Sequence, residues 1–135
     1  MHYMKSQFNH TLNRIVSLVP SQTELLVDLG LESQLVGITK FCVHPEHLRK
    51  EIVVVGGTKQ VNIEKIKALN PDIILCNKEE NTLDMVQELQ NIARVEVSDV
   101  NTFNDAVNLI KFYGGLFNVT PIAQAIIENI EVERL

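Results

Sequence analysis

The sequence predicts an α/β protein whose sheet is mostly parallel and carries helices on both faces. Short runs rich in branched apolar residues alternate with segments whose apolar residues recur at helical spacing, which is typical of successive βαβ units. The run at 73–76 is apolar at every position, as expected of a strand covered on both sides. Proline and glycine mark the breaks in this pattern, notably at Pro20, Gly30 and Gly56.

Strands and helices follow one another along the whole chain, which predicts a Rossmann-like sheet. The predicted strands cover residues 14–19, 35–39, 52–55, 73–76 and 95–97. The predicted helices cover residues 21–30, 62–69, 82–91, 102–117 and 120–135. The segment 41–49 is a loop or a short helix. Because the last strand alternates apolar and polar residues, we expect it to be peripheral.

Residues suited to helix ends support these boundaries. Ser21 and Glu24 match the S-x-x-E capping box, in which each side chain satisfies a free amide at the start of a helix. Gly30 is suited to the end of the same helix. Asn81 can cap the helix that follows it.

The final helix, 120–135, opens with Thr120-Pro121 and has no clear terminating residue before the last position. We therefore expect it to continue into a further segment, with fraying at the chain end as the alternative. If the chain is complete, the apolar face of residues 122–135 should support a homodimer.

Composition argues against several classes of protein. The 135 residues carry a net charge of −5 and no basic run, which argues against nucleic-acid binding. No apolar stretch approaches the roughly 20 residues that span a bilayer, and two cysteines are too few for a disulfide scaffold. The polar N-terminal segment 1–13 lacks the apolar core of a signal peptide. As written, the chain is expected in the cytoplasm, although the mature form of an exported protein would look the same.

The loops that follow the strands carry the candidate functional residues. In a parallel sheet these loops lie along one edge, where open α/β sheets bind ligands. We call this edge the rim; it comprises residues 20–22, 40–44, 56–60, 77–81 and 98–101. The sequence contains none of the signatures G-x-G-x-x-G, G-x-x-x-x-G-K-[ST], G-x-S-x-G and H-E-x-x-H.

Four segments, taken in order, resemble a known family. They are RIVSLVPSQTELLVDLGL (14–31), VGITKFCVHP (36–45), VVGGTKQVNIEKIKALNPDIILCNKEEN (54–81) and VEVSDVNTF (95–103). Over residues 14–135 the chain is similar to the N-terminal lobe of the helical-backbone metal-receptor family. These proteins are the substrate-binding components of ABC importers for cobalamin, haem and ferric siderophores, and the resemblance is closest to the cobalamin-binding members.

The resemblance implies one lobe of a two-lobed binder. Residues 14–119 would form the N-terminal ligand-binding lobe, and residues 120–135 the start of the long helix leading to a second lobe that this sequence does not include. The implied function is capture, without catalysis, of a metal-centred macrocycle or chelate: a corrinoid first, then a ferric siderophore or haem. The implied partners are this chelate and the membrane subunits of an ABC importer. The implied location is periplasmic or otherwise extracytoplasmic, and no intrinsic cofactor is expected.

Nine rim residues are candidate ligand contacts. They are Pro20, Ser21, Gln22, Phe41, His44, Thr58, Lys59, Asn77 and Lys78. By resemblance, Pro20 to Gln22 line the cleft and Phe41 meets the flat face of the ligand, while Lys59 can meet a carboxylate or phosphate. The alternatives are a helix cap for Ser21, a core position for Phe41 and an ordinary turn at 58–60. Cobalamin-binding members carry a bulky aromatic at the position of Asn77, and this departure leaves the exact ligand open.

Two further positions have a specific expected role. Glu64 matches, by resemblance, the exposed glutamate that docks onto arginines of the importer's membrane subunits; the alternative is a favourable interaction with its helix dipole. Cys42 and His44, with His47 close by, offer soft and imidazole metal ligands. Because two or three ligands in one loop do not make a metal site, we expect packing for Cys42 and a polar rim position for His44. Axial ligation of cobalt or haem iron by His44 is the alternative.

Two other functions remain open from the sequence. A cytoplasmic sensor or carrier of corrinoids or metal chelates could be built on the same lobe, since segment 1–13 contains no export signal. A small α/β enzyme could use Glu79, Glu80 or His44 as acid or base, although neighbouring carboxylates in a polar loop are usually only solvated.

Overall fold

The computed structural model describes residues 12–134 and contains one parallel sheet. Its strands are β1 (Ile15–Ser17), β2 (Leu35–Ile38), β3 (Val53–Val54), β4 (Ile73–Asn77) and β5 (Arg94–Ser98). They lie in the order β3-β2-β1-β4-β5, and each neighbouring pair is parallel. All five strands occur where the sequence predicts them, and β5 is an edge strand as expected. Most of the predicted N-terminal segment 1–13 lies outside the described residues.

Within residues 12–134, six helices connect or follow these strands. They are α1 (Pro20–Asp28), α2 (Leu48–Glu51), α3 (Ile63–Ala68), α4 (Leu83–Leu89), α5 (Phe103–Leu116) and α6 (Thr120–Arg134). A 3-10 turn at Glu32–Gln34 precedes β2. The segment 41–49 is a loop that ends in the first residues of α2. Between residues 12 and 134, no helix has the length and apolar character needed to cross a bilayer.

Both faces of the sheet are covered, as the sequence predicts. Successive residues of a strand point to opposite faces. Ile15 and Ile73 therefore belong to the core beneath α1, α5 and α6, whereas Val16 and Ile74 belong to the core beneath α3 and α4. All four side chains are fully buried. Burial on both sides explains why β1 and β4 consist almost wholly of apolar residues.

The predicted capping box at Ser21 and Glu24 is wrong. The helix begins one residue earlier, with Val19 as its N-cap and Pro20 in the first turn, and no side chain caps it. The fixed φ of proline suits the first helical position, where the missing N–H has no partner to lose. Ser21 is therefore already inside the first turn.

The prediction that Asn81 caps α4 is also wrong. Thr82 is the N-cap of α4, and its hydroxyl accepts a hydrogen bond from the Met85 amide. Asn81 is buried instead and bonds to other loops.

The final predicted helix, α6, packs along α5 through its apolar face. Ala123 and Ile127 are each only 2% exposed, while Ile122 and Val132 stay on the surface. Most of the apolar face that was expected to support a homodimer is thus covered within the chain. The homodimer remains a prediction, with little apolar surface to carry it.

Two neighbouring glycines of α5 provide a matched test of this packing. A Cβ atom at Gly114 would lie 2.6 Å from the Cβ of Ala123, whereas nothing lies within 4 Å of the same position at Gly115. G114A should lower the free energy of unfolding by about 1–2 kcal/mol through overpacking. G115A should raise it by up to about 1 kcal/mol because alanine favours a helix. Urea denaturation measures both changes, and equal effects would contradict the described contact between α5 and α6.

Candidate functional site

Two concave surfaces lie side by side along the rim. The first, here called the apolar cavity, has a volume of about 670 Å³ and lies between α1, the end of β4 and α5. Its lining is mainly apolar and comprises Val19, Pro20, Ser21, Gln22, Leu25, Asn77, Glu79, Glu80, Val100, Ala106, Leu109 and Ile110. The second, the Phe41 cavity, has a volume of about 720 Å³ and is lined by Lys40, Phe41, Gly56, Gly57, Thr58, Lys59 and Gln60.

The nine predicted ligand contacts divide between these cavities. Pro20, Ser21, Gln22 and Asn77 line the apolar cavity. Phe41, Thr58 and Lys59 line the Phe41 cavity. His44 and Lys78 line neither cavity: both are exposed, and the Lys78 ammonium lies 3.7 Å from a carboxylate oxygen of Asp99.

Hydrogen bonds hold the wall of the apolar cavity. Gln22 is 3% exposed; its Oε1 accepts a 2.8 Å hydrogen bond from the Tyr113 hydroxyl, and its Nε2 donates to Oγ of Ser98. Oγ of Ser98 also accepts from Nδ2 of Asn77 at 3.0 Å and donates to the Cys76 carbonyl. Burial, with Cys76 and Glu96 nearby, raises the pKa of Tyr113, so its phenol stays a donor at neutral pH. These bonds preorganise the wall.

The Asn77 side chain also shapes the turn after β4. Its Oδ1 accepts hydrogen bonds from the backbone amides of Glu79 and Glu80, at 2.8 and 3.2 Å. Together with its bond to Ser98, these contacts occupy both ends of the carboxamide. Asn77 thus reaches the cavity with its polar atoms already paired. Ser21, by contrast, is exposed, and its hydroxyl makes no hydrogen bond to any residue of 12–134.

Asn81 ties three rim loops together. Its Oδ1 accepts from the Asn77 amide at 2.8 Å, and its Nδ2 donates to the carbonyls of Leu18 and Thr58, at 3.2 and 2.8 Å. Asn77 is the last residue of β4, whereas Leu18 and Thr58 lie in the loops after β1 and β3. With 4% exposure, the side chain has no ready access to water that could replace these bonds. Asn81 therefore links Asn77, which lines the apolar cavity, to Thr58, which lines the Phe41 cavity.

The Phe41 ring is presented outward by a supported loop. The ring is 52% exposed, which excludes the alternative of a core position. The Phe41 amide donates to the hydroxyl of Thr39, and the ammonium of Lys40 lies 5.3 Å from the ring centroid. Gly57 lies beneath the ring, where an added Cβ would be 3.4 Å from the nearest ring atom. The loop therefore holds Phe41 in an exposed position at the edge of this cavity.

The glycine turn beside Phe41 is more than an ordinary turn. Gly56 has a φ of +134°, and a Cβ there would lie 2.6 Å from the carbonyl oxygen of Gln60. This close approach lets the loop fold back, after which Lys59 donates from Nζ to the Glu79 carbonyl at 2.7 Å. The turn thereby connects the two cavities at the surface.

Cys42 occupies the packing position expected for it. It is 1% exposed, and its sulfur contacts the hydroxyl oxygens of Thr23 and Thr39 at 3.2 and 3.3 Å. His44 is exposed two residues further on. The two potential ligands therefore do not share an environment.

Sequence reasoning missed several residues of the site. Ser98 belongs to a predicted rim loop but was not selected, although a hydroxyl at the end of a strand was a usable signal. Tyr113 could not be found, because its partner Gln22 is 91 residues away. The apolar wall from α5 was also missed, since Ala106, Leu109 and Ile110 look like ordinary helix core residues.

A parallel sheet with a partly apolar concave rim at its carboxyl edge is the arrangement in which open α/β folds bind small molecules. Comparison with known proteins agrees with this arrangement. The chain matches the family described as periplasmic binding protein over residues 15–133 and belongs to that family.

Individual relatives show the same relationship. The ABC transporter substrate-binding lipoprotein YvrC of Bacillus subtilis is 29% identical over 122 residues, covering 87% of this chain and 38% of YvrC. The vitamin B12-binding protein of Pectobacterium carotovorum is 30% identical over 93 residues, 68% of this chain and 33% of that protein. A periplasmic heme-binding protein from Pseudomonas aeruginosa superposes with a TM-score of 0.82 at 30% identity, covering 88% of this chain and 43% of that one. The chain thus spans less than half the length of each relative.

The role of Asn81 can be tested with a substitution of almost the same size. N81D removes the N–H donors and places a carboxylate against the carbonyls of Leu18 and Thr58. The free energy of unfolding at pH 7 should fall by about 2–3 kcal/mol. N108D, at an exposed asparagine of α5, should change it by less than about 0.5 kcal/mol. Urea denaturation compares the two; an equally mild N81D would show that Asn81 does not tie the loops.

Proposed function

We propose that this chain forms one lobe of the substrate-binding component of an ABC importer and captures a metal-centred macrocycle or chelate. Family membership over nearly the whole chain carries this proposal. The rim supports it, since a largely preformed, partly apolar concave surface with a few polar groups is suited to capturing small molecules.

The shape and chemistry of the rim support the proposed ligand class. A corrinoid is the first candidate and a ferric siderophore or haem the next, in line with relatives named as vitamin B12-binding and heme-binding proteins. An exposed Phe41 ring and an apolar neighbouring cavity can cover the flat face of a macrocycle. Lys40 and Lys59, both exposed at the Phe41 cavity, can meet carboxylate or phosphate groups at the ligand's edge.

The domain arrangement is part of the proposal. Residues 14–119 form the ligand-binding lobe, and residues 120–135 begin the helix that leads to a second lobe. The share of each relative that this chain spans supports a two-lobed protein. In this arrangement the second lobe covers the rim and completes the cleft.

Transport also requires a location outside the cytoplasm and a docking surface. Relatives named as a lipoprotein and as a periplasmic protein support an extracytoplasmic location. Glu64, whose side chain is 84% exposed and pairs only loosely with Lys67 at 3.5 Å, is free to meet arginines of the membrane subunits. The roles named for these relatives do not favour a cytoplasmic sensor or an enzyme using Glu79, Glu80 or His44.

Ligand capture can be tested directly by NMR on the isotope-labelled chain. Cyanocobalamin, gallium protoporphyrin and a gallium-loaded siderophore are titrated separately, because chemical-shift changes report even millimolar binding. One of them should give saturable shifts at the amides of Phe41, Gly57 and Asn77. The absence of such shifts with all three ligands would contradict the proposal.

A matched pair of phenylalanines refines the same titration. F41A should weaken binding about tenfold through loss of aromatic contact. F112A, at a phenylalanine that is 44% exposed and outside both cavities, should leave the affinity unchanged. Equal weakening by both variants would place the ligand elsewhere.

Docking through Glu64 is tested by charge reversal in the producing cell. E64R should leave ligand binding unchanged but lower uptake of the labelled ligand by about tenfold, since a favourable contact with arginine becomes repulsive. E128R, at another exposed glutamate on α6, serves as the control. Normal uptake with E64R would exclude the docking role.

A further inference from the structure

We propose that Glu32, His47 and Glu51 form a binding site for a divalent transition-metal ion of the zinc type, separate from the rim. Each of these side chains offers one atom that can bind a metal ion, and the three atoms all lie within 4.8 Å of one another. Within residues 12–134, this is the group of three or more His, Cys, Asp or Glu side chains that meets this distance. One imidazole nitrogen and two carboxylate oxygens are a donor set that zinc accepts in sites with three protein ligands.

The three residues lie at the edge of the sheet opposite the rim. Glu32 begins the 3-10 turn just before β2, and Glu51 ends α2 just before β3. Because β2 and β3 are parallel, both residues lie at the amino ends of their strands, whereas the rim lies at the carboxyl ends. The site is therefore independent of chelate capture.

Local structure brings the ligands together. His47 and Glu51 are four residues apart, across the single turn of α2, so their side chains share one side of it. Nε2 of His47 already lies 2.6 Å from a carboxylate oxygen of Glu32. Neighbouring ligands of a tetrahedral zinc ion are about 3.4 Å apart. The side chains of His47 and Glu32 are 45% and 37% exposed, so they can make the small rotations that widen this distance.

The charges of the cluster favour a divalent cation. The cluster contains two carboxylates and one imidazole. Glu32 pairs with His47, whereas Glu51 has no ion pair with any residue that the structure describes. The neighbouring Arg49 donates to the Lys40 carbonyl. Two carboxylates carry together the charge that balances a doubly charged ion, and the imidazole adds a nitrogen ligand.

The sequence alone points to different partners for this loop. Cys42, His44 and His47 are close in sequence, but the thiol of Cys42 is buried against Thr23 and Thr39. The fold instead brings Glu32 to His47 from 15 residues upstream. Glu32, in the connection between α1 and β2, thus supplies the ligand that the loop with His47 lacks.

The test is a calorimetric titration of the chelator-treated chain with Zn²⁺. One ion should bind per chain, and the melting temperature should rise with zinc concentration. H47A and E51Q should each weaken binding by about tenfold or more. E46Q, at an exposed carboxylate beside His47, should not change it. Mg²⁺ at the same concentration should give no heat, because imidazole is a poor ligand for it.

Several results would overturn the assignment. Zinc binding that survives in H47A, or that is lost in H44A but not in H47A, would place the ion elsewhere. Equal binding of Mg²⁺ would exclude the imidazole as a ligand. No binding of Zn²⁺ at millimolar concentration would reject the site. Because none of these measurements involves a chelate ligand, their outcome is separate from that of the proposed capture function.

Discussion

The buried carboxamide of Asn81 is the contact on which the rim depends. Loops at the carboxyl edge of a parallel sheet leave backbone groups that the strand ladder cannot satisfy. Asn81 satisfies three such groups at once, at the end of β4 and in the loops after β1 and β3. Its position in the sequence allows this, since it ends the tight turn that returns from β4 to α4. Without this contact, the surface hydrogen bond from Lys59 to the Glu79 carbonyl would have to hold the loops of the two cavities together.

Other polar residues of the apolar cavity also use their side chains for hydrogen bonds within the protein. Gln22, Asn77 and Ser98 bond mainly to one another and to Tyr113. They therefore fix the shape of the wall more than they offer free groups to a ligand. Under the proposed function, affinity in the apolar cavity comes chiefly from apolar contact. Exposed polar groups, the Ser21 hydroxyl here and the Lys59 ammonium in the Phe41 cavity, are then available to distinguish ligands. This division suits the capture of a large, rigid molecule that is proposed above.

The fold was predictable from the sequence because its signals are local and agree with one another. Burial on both faces requires apolar residues throughout β4, and this run is visible in the sequence without knowledge of its neighbours. The contacts of the site were less predictable because they are long-range. Ser21 has the sequence pattern of a helix cap, but Pro20 already occupies the first helical position. Asn81 has the same preference, but it is buried and bonds to other loops. Thr82 makes the cap in place of Asn81, whereas no side chain caps α1.

The two sides of the rim differ in how firmly the sheet supports them. The apolar cavity rests on β1, β4 and β5, of which β4 and β5 pair over five residues each. The Phe41 cavity rests on β2 and β3, and β3 is an edge strand of two residues whose Val53 is 42% exposed. Its loops are instead joined by the Lys40 amide to the Gly56 carbonyl and by Asn81 to the Thr58 carbonyl. Proteins open locally where strand pairing is shortest and most exposed. The side that presents Phe41 should therefore adjust most readily to a ligand, while the apolar side keeps its shape.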